Sequence, residues 1–176
     1  MGGLKAVSDW IAATPASVLI QKNEVWAIPT IQSIHIAAIG VVLASVLAMT
    51  LRLFGVAQAE RTVLQTQARF GPWLTGALWL LLLTGTLMII GEPERELVTF
   101  SFWVKMALVA VGVAIAWAFQ RSVRRRGAEW DERLAGHGSV RALAVLTLLI
   151  WLAVIVMGRL IAYDHVWGAL SPATKA

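Results

Sequence analysis

The sequence predicts an all-α integral membrane protein built as an antiparallel four-helix bundle with an N-terminal interfacial amphipathic helix. The main observation is apolar content: 59% of the 176 residues are hydrophobic and the mean hydropathy is +0.74, whereas soluble domains are usually about 45–50% apolar. Apolar runs of about 20 residues also recur, each long enough to span a bilayer. Finally, nine tryptophans accompany one tyrosine, which suits aromatic belts at membrane interfaces.

Four spans are predicted, over residues 28–53, 73–91, 100–120 and 140–163. At 1.5 Å per residue, each crosses about 30 Å of hydrocarbon. Gly71-Pro72 precedes the second span as a predicted helix breaker. Together these spans make a bundle domain over 28–163. The absence of cysteine excludes disulfides and thiolate metal sites.

Residues 1–27 are predicted to form an interfacial segment on the outer side, and residues 164–176 an outer C-terminal tail. Asp9 and Pro15 interrupt the apolar character that a cleaved signal peptide would need. One apolar side of a short helix around the Thr14-Pro15 break could be formed by Trp10, Ile11, Val18, Leu19 and Ile20. The alternative is a loosely ordered tail.

The charge pattern predicts the orientation of the bundle. The positive-inside rule places the arginine-rich connections in the cytoplasm, so both termini are predicted outside the plasma membrane, in the periplasm of a Gram-negative cell. Because the arginines flank spans, we expect a lipid bilayer and no nucleic acid as their partner. The opposite side carries only four basic residues outside the spans. The two connections carry nine arginines, which are Arg52, Arg61, Arg69, Arg121, Arg124, Arg125, Arg126, Arg133 and Arg141.

Three nitrogen-bearing side chains fall inside spans, where polar groups are costly and often functional. His35 is predicted about two turns below the outer surface, Lys105 about one and a half, and Arg159 about one. His165 follows the end of the fourth span on the same side. The shared depth indicates one common site.

A b-type haem accounts for this set. A neutral imidazole is a good iron ligand, and a lysine that loses its proton can be a second one. Arg159 would bind a propionate, while His165 is an alternative second ligand. Gly158 shares a helix face with His165 at the i and i+7 positions and leaves room for a flat macrocycle.

Simpler interpretations stay open for each residue. His35 could merely hydrogen-bond a neighbouring helix, and the Lys105 stem could extend outward to the interface. Arg159 could pair with Glu92, Glu94, Glu96 or Asp164. We interpret the acidic segment EPERE, residues 92–96, as a solvated turn.

Two other classes of function are alternatives. Met88, Met106 and Met157 fall in the outer halves of their spans and, with His35 and His165, could form a thioether and imidazole site for copper handling or transport. The chain could instead be a cofactor-free structural subunit of a membrane complex.

Two segments resemble a known group of proteins. IHIAAIGVVLASVLAMTLRL carries His35, and FWVKMALVAVGVAIAW carries Lys105. The pair resembles small bacterial membrane proteins that include the copper-resistance D family and the HemJ-type protoporphyrinogen oxidases. That resemblance implies a b-type haem associated with His35 and Lys105. The ending MGRLIAYDHVWG resembles that of an uncharacterised family of four-span bacterial proteins.

The sequence therefore predicts a haem b protein of the bacterial inner membrane, acting in electron transfer or haem-dependent oxidation near the outer face. Its expected partners are the bilayer and a redox or other membrane protein, with a homo-oligomer left open.

Overall fold

A computed structural model describes residues 2–127, 129–130, 138–163 and 167. These residues form helices joined by short turns, and no strand occurs among them. The predicted all-α fold class is confirmed. The helices are α1 (Gly2–Ala12), α2 (Pro15–Lys22), α3 (Glu24–Leu53), α4 (Val63–Gly91), α5 (Pro93–Leu97), α6 (Phe100–Arg125) and α7 (Gly138–Leu160).

Four of these helices, α3, α4, α6 and α7, are long and apolar enough to cross a membrane. Many of their large apolar side chains point away from the bundle. Trp79, Leu83, Trp117 and Leu149 are 68%, 58%, 62% and 54% exposed. Such surfaces suit contact with lipid chains, which are as apolar as the side chains themselves. The chain is therefore a multi-pass membrane protein with four spanning helices, as predicted.

The spanning helices form two hairpins that pack side by side. Helix α3 packs on α4, and α6 packs on α7; α3 also contacts α7, and α4 contacts α6. Helices α3 and α6 therefore lie diagonally across the bundle axis. The core between the four helices includes Val42, Leu74, Ala116 and Trp151, all nearly inaccessible.

Helix α4 begins ten residues before the second predicted span, because the predicted breaker Gly71-Pro72 does not interrupt it. Pro72 lies inside the helix, where its missing N–H removes one backbone hydrogen bond. The helix begins instead at a capping box: Thr62 Oγ1 accepts from the Gln65 N–H at 3.1 Å, and Gln65 Oε1 accepts from the Thr62 N–H at 3.0 Å. Just before it, Gly55 has a φ of +72°, which favours glycine.

Helices α1 and α2 lie at the end of the bundle where α3 begins and α4 ends. The predicted break is their junction, since the Thr14 hydroxyl accepts from the Ser17 N–H and Pro15 opens α2. Helix α1 packs on α5, and α2 packs on α4. We call this the amino-terminal end and the opposite one the arginine-rich end.

Candidate functional site

The His35 side chain is held inside the bundle by a hydroxyl of the neighbouring helix. His35 Nδ1 on α3 lies 2.7 Å from Thr84 Oγ1 on α4, and Thr84 is 3% exposed. Gly85 lies beside the same ring, because a Cβ built there would be 3.6 Å from His35 Cε1. The imidazole is therefore fixed at one nitrogen and lies against a residue with no side chain.

The hydroxyl proton of Thr84 determines which ring nitrogen of His35 carries hydrogen. When Thr84 Oγ1 donates its one proton to the Leu80 carbonyl at 2.7 Å, the same oxygen accepts from the His35 Nδ1–H. A neutral imidazole has a single N–H, so Nε2 keeps a lone pair. A ring whose N–H is fixed by a second partner is the usual arrangement of a metal-binding histidine.

Lys105 approaches His35 from the other side of the bundle axis. It lies on α6 and is half-buried, and its charge acts on the His35 ring. A Cβ built on Gly158 of α7 would lie 3.8 Å from Lys105 Cδ. The lysine stem therefore passes α7 at a glycine, and the structure brings together three of the predicted residues, His35, Lys105 and Gly158.

Glu96 joins this group from the short helix α5. It is 3% exposed, and no hydrogen bond or ion pair links its carboxyl group to another described residue. Burial raises the pKa of Glu96, and the positive charges of Lys105 and Arg95 oppose that shift. Lys105 thus acts electrostatically on a buried carboxyl group as well as on an imidazole.

A family comparison covers most of this framework. The model of a family of unknown function, DUF6644, matches residues 15–164. The chain belongs to the DUF6644 family. The family match begins at the first residue of α2 and includes all four spanning helices, so it contains His35, Thr84, Glu96 and Lys105 but not α1. No curated protein and no solved structure matches the chain.

Two residues of this group were missed by the sequence analysis. The segment EPERE was interpreted as a solvated turn, but Glu96 is buried while Glu94 is exposed. Pro93 and Glu96 are both buried and three residues apart, a helical spacing that could have indicated one inward face. Thr84 carried no such signal, because a threonine bonded to its own helix is ordinary in membranes.

Arg159 is exposed at the last turn of α7. Its guanidinium lies 5.5 Å from the centroid of the Tyr163 ring. Among the described residues it forms no ion pair with Glu92, Glu94 or Glu96. The structure therefore does not place Arg159 against His35 or Lys105. His165 and Asp164 lie outside the described residues.

The three methionines of the copper alternative differ in their surroundings. Met88 and Met157 are half-buried, whereas Met106 is 41% exposed. Within the described part of the chain, no cluster of three or more histidine, aspartate or glutamate side chains could hold a metal ion. Copper binding stays a prediction, because no described contact brings these methionines together.

Proposed function

We propose that this protein is a membrane-embedded b-type haem protein that acts in electron transfer or haem-dependent oxidation. The observation that carries the proposal is the state of His35. Its Nδ1–H is held by Thr84 at 2.7 Å, so Nε2 is left as a base inside an apolar bundle. Few groups other than a metal or a proton donor would satisfy such a nitrogen.

The surrounding residues fit a haem. Haem iron takes axial ligands on its two faces, and His35 and Lys105 extend from helices that lie diagonally across the bundle. Gly85 borders His35 and Gly158 borders Lys105, each at a van der Waals distance from where a Cβ would lie. Arg159 would bind a propionate at the amino-terminal end. When bound, haem supplies one-electron redox chemistry.

The second axial ligand has two candidates. Lys105 is the first, because its charge acts on the His35 ring and its stem passes α7 at Gly158. His165 is the alternative. Lys105 also interacts electrostatically with Glu96.

The proposal includes a place in the cell. We infer a bacterial inner membrane with the arginine-rich end in the cytoplasm, as the positive-inside rule requires. Helices α1 and α2 would then lie at the outer interface, since Trp10 of α1 and Leu19 of α2 are 71% and 65% exposed. A redox or other membrane protein would be the partner, and a second copy of the chain is the alternative.

An absorption spectrum of the purified protein tests the proposal. Protein from haem-replete cells should show a Soret band, and His35→Ala should remove most of it. The matched control is His137→Ala, which changes a histidine in a connection between spans. Lys105→Ala and His165→Ala identify the second ligand, because only the true one should shift the band.

A colourless wild-type protein would overturn the proposal. Copper in such a preparation, lost on joint substitution of Met88, Met106 and Met157, would establish the copper alternative instead. A stable partner protein that co-purifies without pigment or metal would indicate the structural subunit.

A further inference from the structure

A second site lies in the arginine-rich half of the bundle, away from His35. Here a partly open cavity of about 90 Å³ lies between the four spanning helices. Its walls include Val46 and Leu53 of α3, Leu74 of α4, Ala116 of α6 and Ala144 of α7. The cavity extends over about two turns of α3, or roughly 10 Å.

The walls are apolar although hydroxyl groups line them. Ser45, Thr50 and Thr147 each donate to the carbonyl oxygen four residues earlier on their own helix, at 2.8–2.9 Å. Their polar atoms are therefore satisfied without a ligand. No histidine or lysine is among the described lining residues, so the cavity does not offer the nitrogen ligands found near His35.

All four spanning helices carry an arginine at the end of the bundle where the cavity lies. Each spanning helix has an arginine directly adjacent in sequence to a lining residue. The adjacent pairs are Arg52 and Leu53, Arg69 and Phe70, Arg121 and Gln120, and Arg141 and Val140. The cavity thus has an apolar interior and lies at the arginine-rich end of the bundle.

Three of these arginines lie over aromatic rings. The Arg69, Arg121 and Arg141 guanidiniums are 5.8, 5.3 and 5.8 Å from the ring centroids of Phe70, Trp117 and Phe54. Within the described residues none of the three pairs with a carboxylate. A guanidinium stacked on a ring still presents its N–H groups at the edge, where a phosphate can accept them.

We propose that this cavity binds part of one acyl chain of an anionic phospholipid, whose phosphate is bound by arginines at the same end of the bundle. The hydrocarbon matches the apolar walls, and the positive charge at this end favours an anionic headgroup over a zwitterionic one. Basic pockets between spanning helices are a recognised form of anionic lipid site. This proposal is independent of haem.

Native mass spectrometry of the full chain in one mild detergent tests the proposal. Dioleoylphosphatidylglycerol and dioleoylphosphatidylcholine are added in separate titrations at the same salt concentration. The wild type should bind the first at least about tenfold more tightly than the second, given the typical contribution of each basic residue near a membrane surface.

Two kinds of variant separate the cavity from the charge. Ala116→Leu and Ala144→Leu, made singly on different helices, fill the cavity and should each lower binding of the anionic lipid about tenfold or more, by removing space for the chain. Their matched controls are Ala118→Leu and Ala142→Leu, at exposed positions of the same helices. Helicity by circular dichroism identifies any variant that fails to fold.

The charge variant replaces Arg69, Arg121 and Arg141 by glutamine. It leaves the apolar walls intact and should reduce the preference for the anionic lipid to within about twofold. Its control is Lys5→Gln, Lys22→Gln and Arg95→Gln at the amino-terminal end. Equal binding of the two lipids by the wild type, or equal losses in variants and controls, would overturn the proposal.

Discussion

At the scale of single residues, Thr84 determines what His35 can do. A histidine in an apolar helix could simply share a hydrogen bond with its neighbour. The Thr84 proton is already committed to the Leu80 carbonyl, so the hydroxyl can only accept from the ring. The hydrogen bond between His35 and Thr84 therefore leaves Nε2 with a lone pair. A histidine that bonds a neighbouring helix in this way can still be a ligand.

Thr84→Val should therefore affect both stability and haem binding. The valine leaves the His35 N–H without an acceptor, which costs about 1–3 kcal/mol for a buried group. Loss of a partner that orients a metal ligand also typically lowers affinity about 10- to 100-fold. Thermal unfolding and haem titration measure the two effects.

Thr86→Val is the control for this substitution. Thr86 is exposed, and its hydroxyl bonds only to the Leu82 carbonyl of its own helix at 2.8 Å. Thr86→Val should leave the unfolding temperature and the haem affinity nearly unchanged. Equal behaviour of the two variants would show that Thr84 does not orient His35.

Glu96 should make the protein less stable as the pH rises. An unfolded glutamate ionises near its usual value of 4.5, while burial raises the pKa of the folded one. As the pH rises through this interval, the unfolded chain releases its proton first. The stabilising contribution of the proton is present below pH 4.5 and is lost as the pH passes the raised folded value.

At pH values above that interval, Glu96→Gln should have a higher unfolding temperature than the wild type. Its unfolding temperature should also depend less on pH. Intrinsic fluorescence of the nine tryptophans reports unfolding at each pH. Glu94→Gln on the exposed face of α5 is the matched control and should follow the wild type. A Glu96→Gln curve parallel to the wild-type curve would contradict a buried, neutral carboxyl group.

At the scale of helices, the sequence predicted the features that depend on hydropathy, and it did not predict those that depend on packing between helices. The four apolar helices follow from hydropathy, because lipid selects long apolar runs. The depth of Lys105 followed from the start of α6 at residue 100. Helix α4 passes through Pro72 because its neighbours stabilise it, and Glu96 is buried where α5 packs against α1, α4 and α6. Neither contact is visible in the sequence.

Gly91 tests how α2 is attached to the bundle. A Cβ at Gly91 would lie 2.8 Å from Ile28 Cδ1 and 2.9 Å from Ile20 Cγ2. Gly91→Ala should therefore push α2 away from α4 and destabilise the protein by about 1–3 kcal/mol, as overpacking usually does. Trypsin cleavage after Lys22 should become faster.

Gly76→Ala on the same helix is the matched control. Nothing lies within 4 Å of a Cβ at Gly76, so alanine should stabilise α4 by about 0.5–1 kcal/mol. Cleavage after Lys22 should keep its wild-type rate. Equal cleavage rates in both variants would show that α2 does not depend on the space at Gly91.

At the scale of the whole molecule, charge and chemistry are separated along the bundle axis. The buried Glu96 and the half-buried His35 and Lys105 lie in the amino-terminal half. The apolar cavity lies in the other half, with arginines beside it. The proposed haem would therefore lie toward the amino-terminal end, and the proposed lipid site toward the arginine-rich end.

The proposed outer location of the haem depends on which end of the bundle faces the cytoplasm. Single introduced cysteines can determine this orientation, because the sequence contains no cysteine. Asp9→Cys is at the amino-terminal end and Ala59→Cys is in the α3–α4 connection; both positions are exposed. The positive-inside rule predicts the second in the cytoplasm. A membrane-impermeant maleimide added outside spheroplasts should label Asp9→Cys at once and Ala59→Cys only after lysis. The reverse pattern would place His35 toward the cytoplasm and overturn the proposed outer location of the haem.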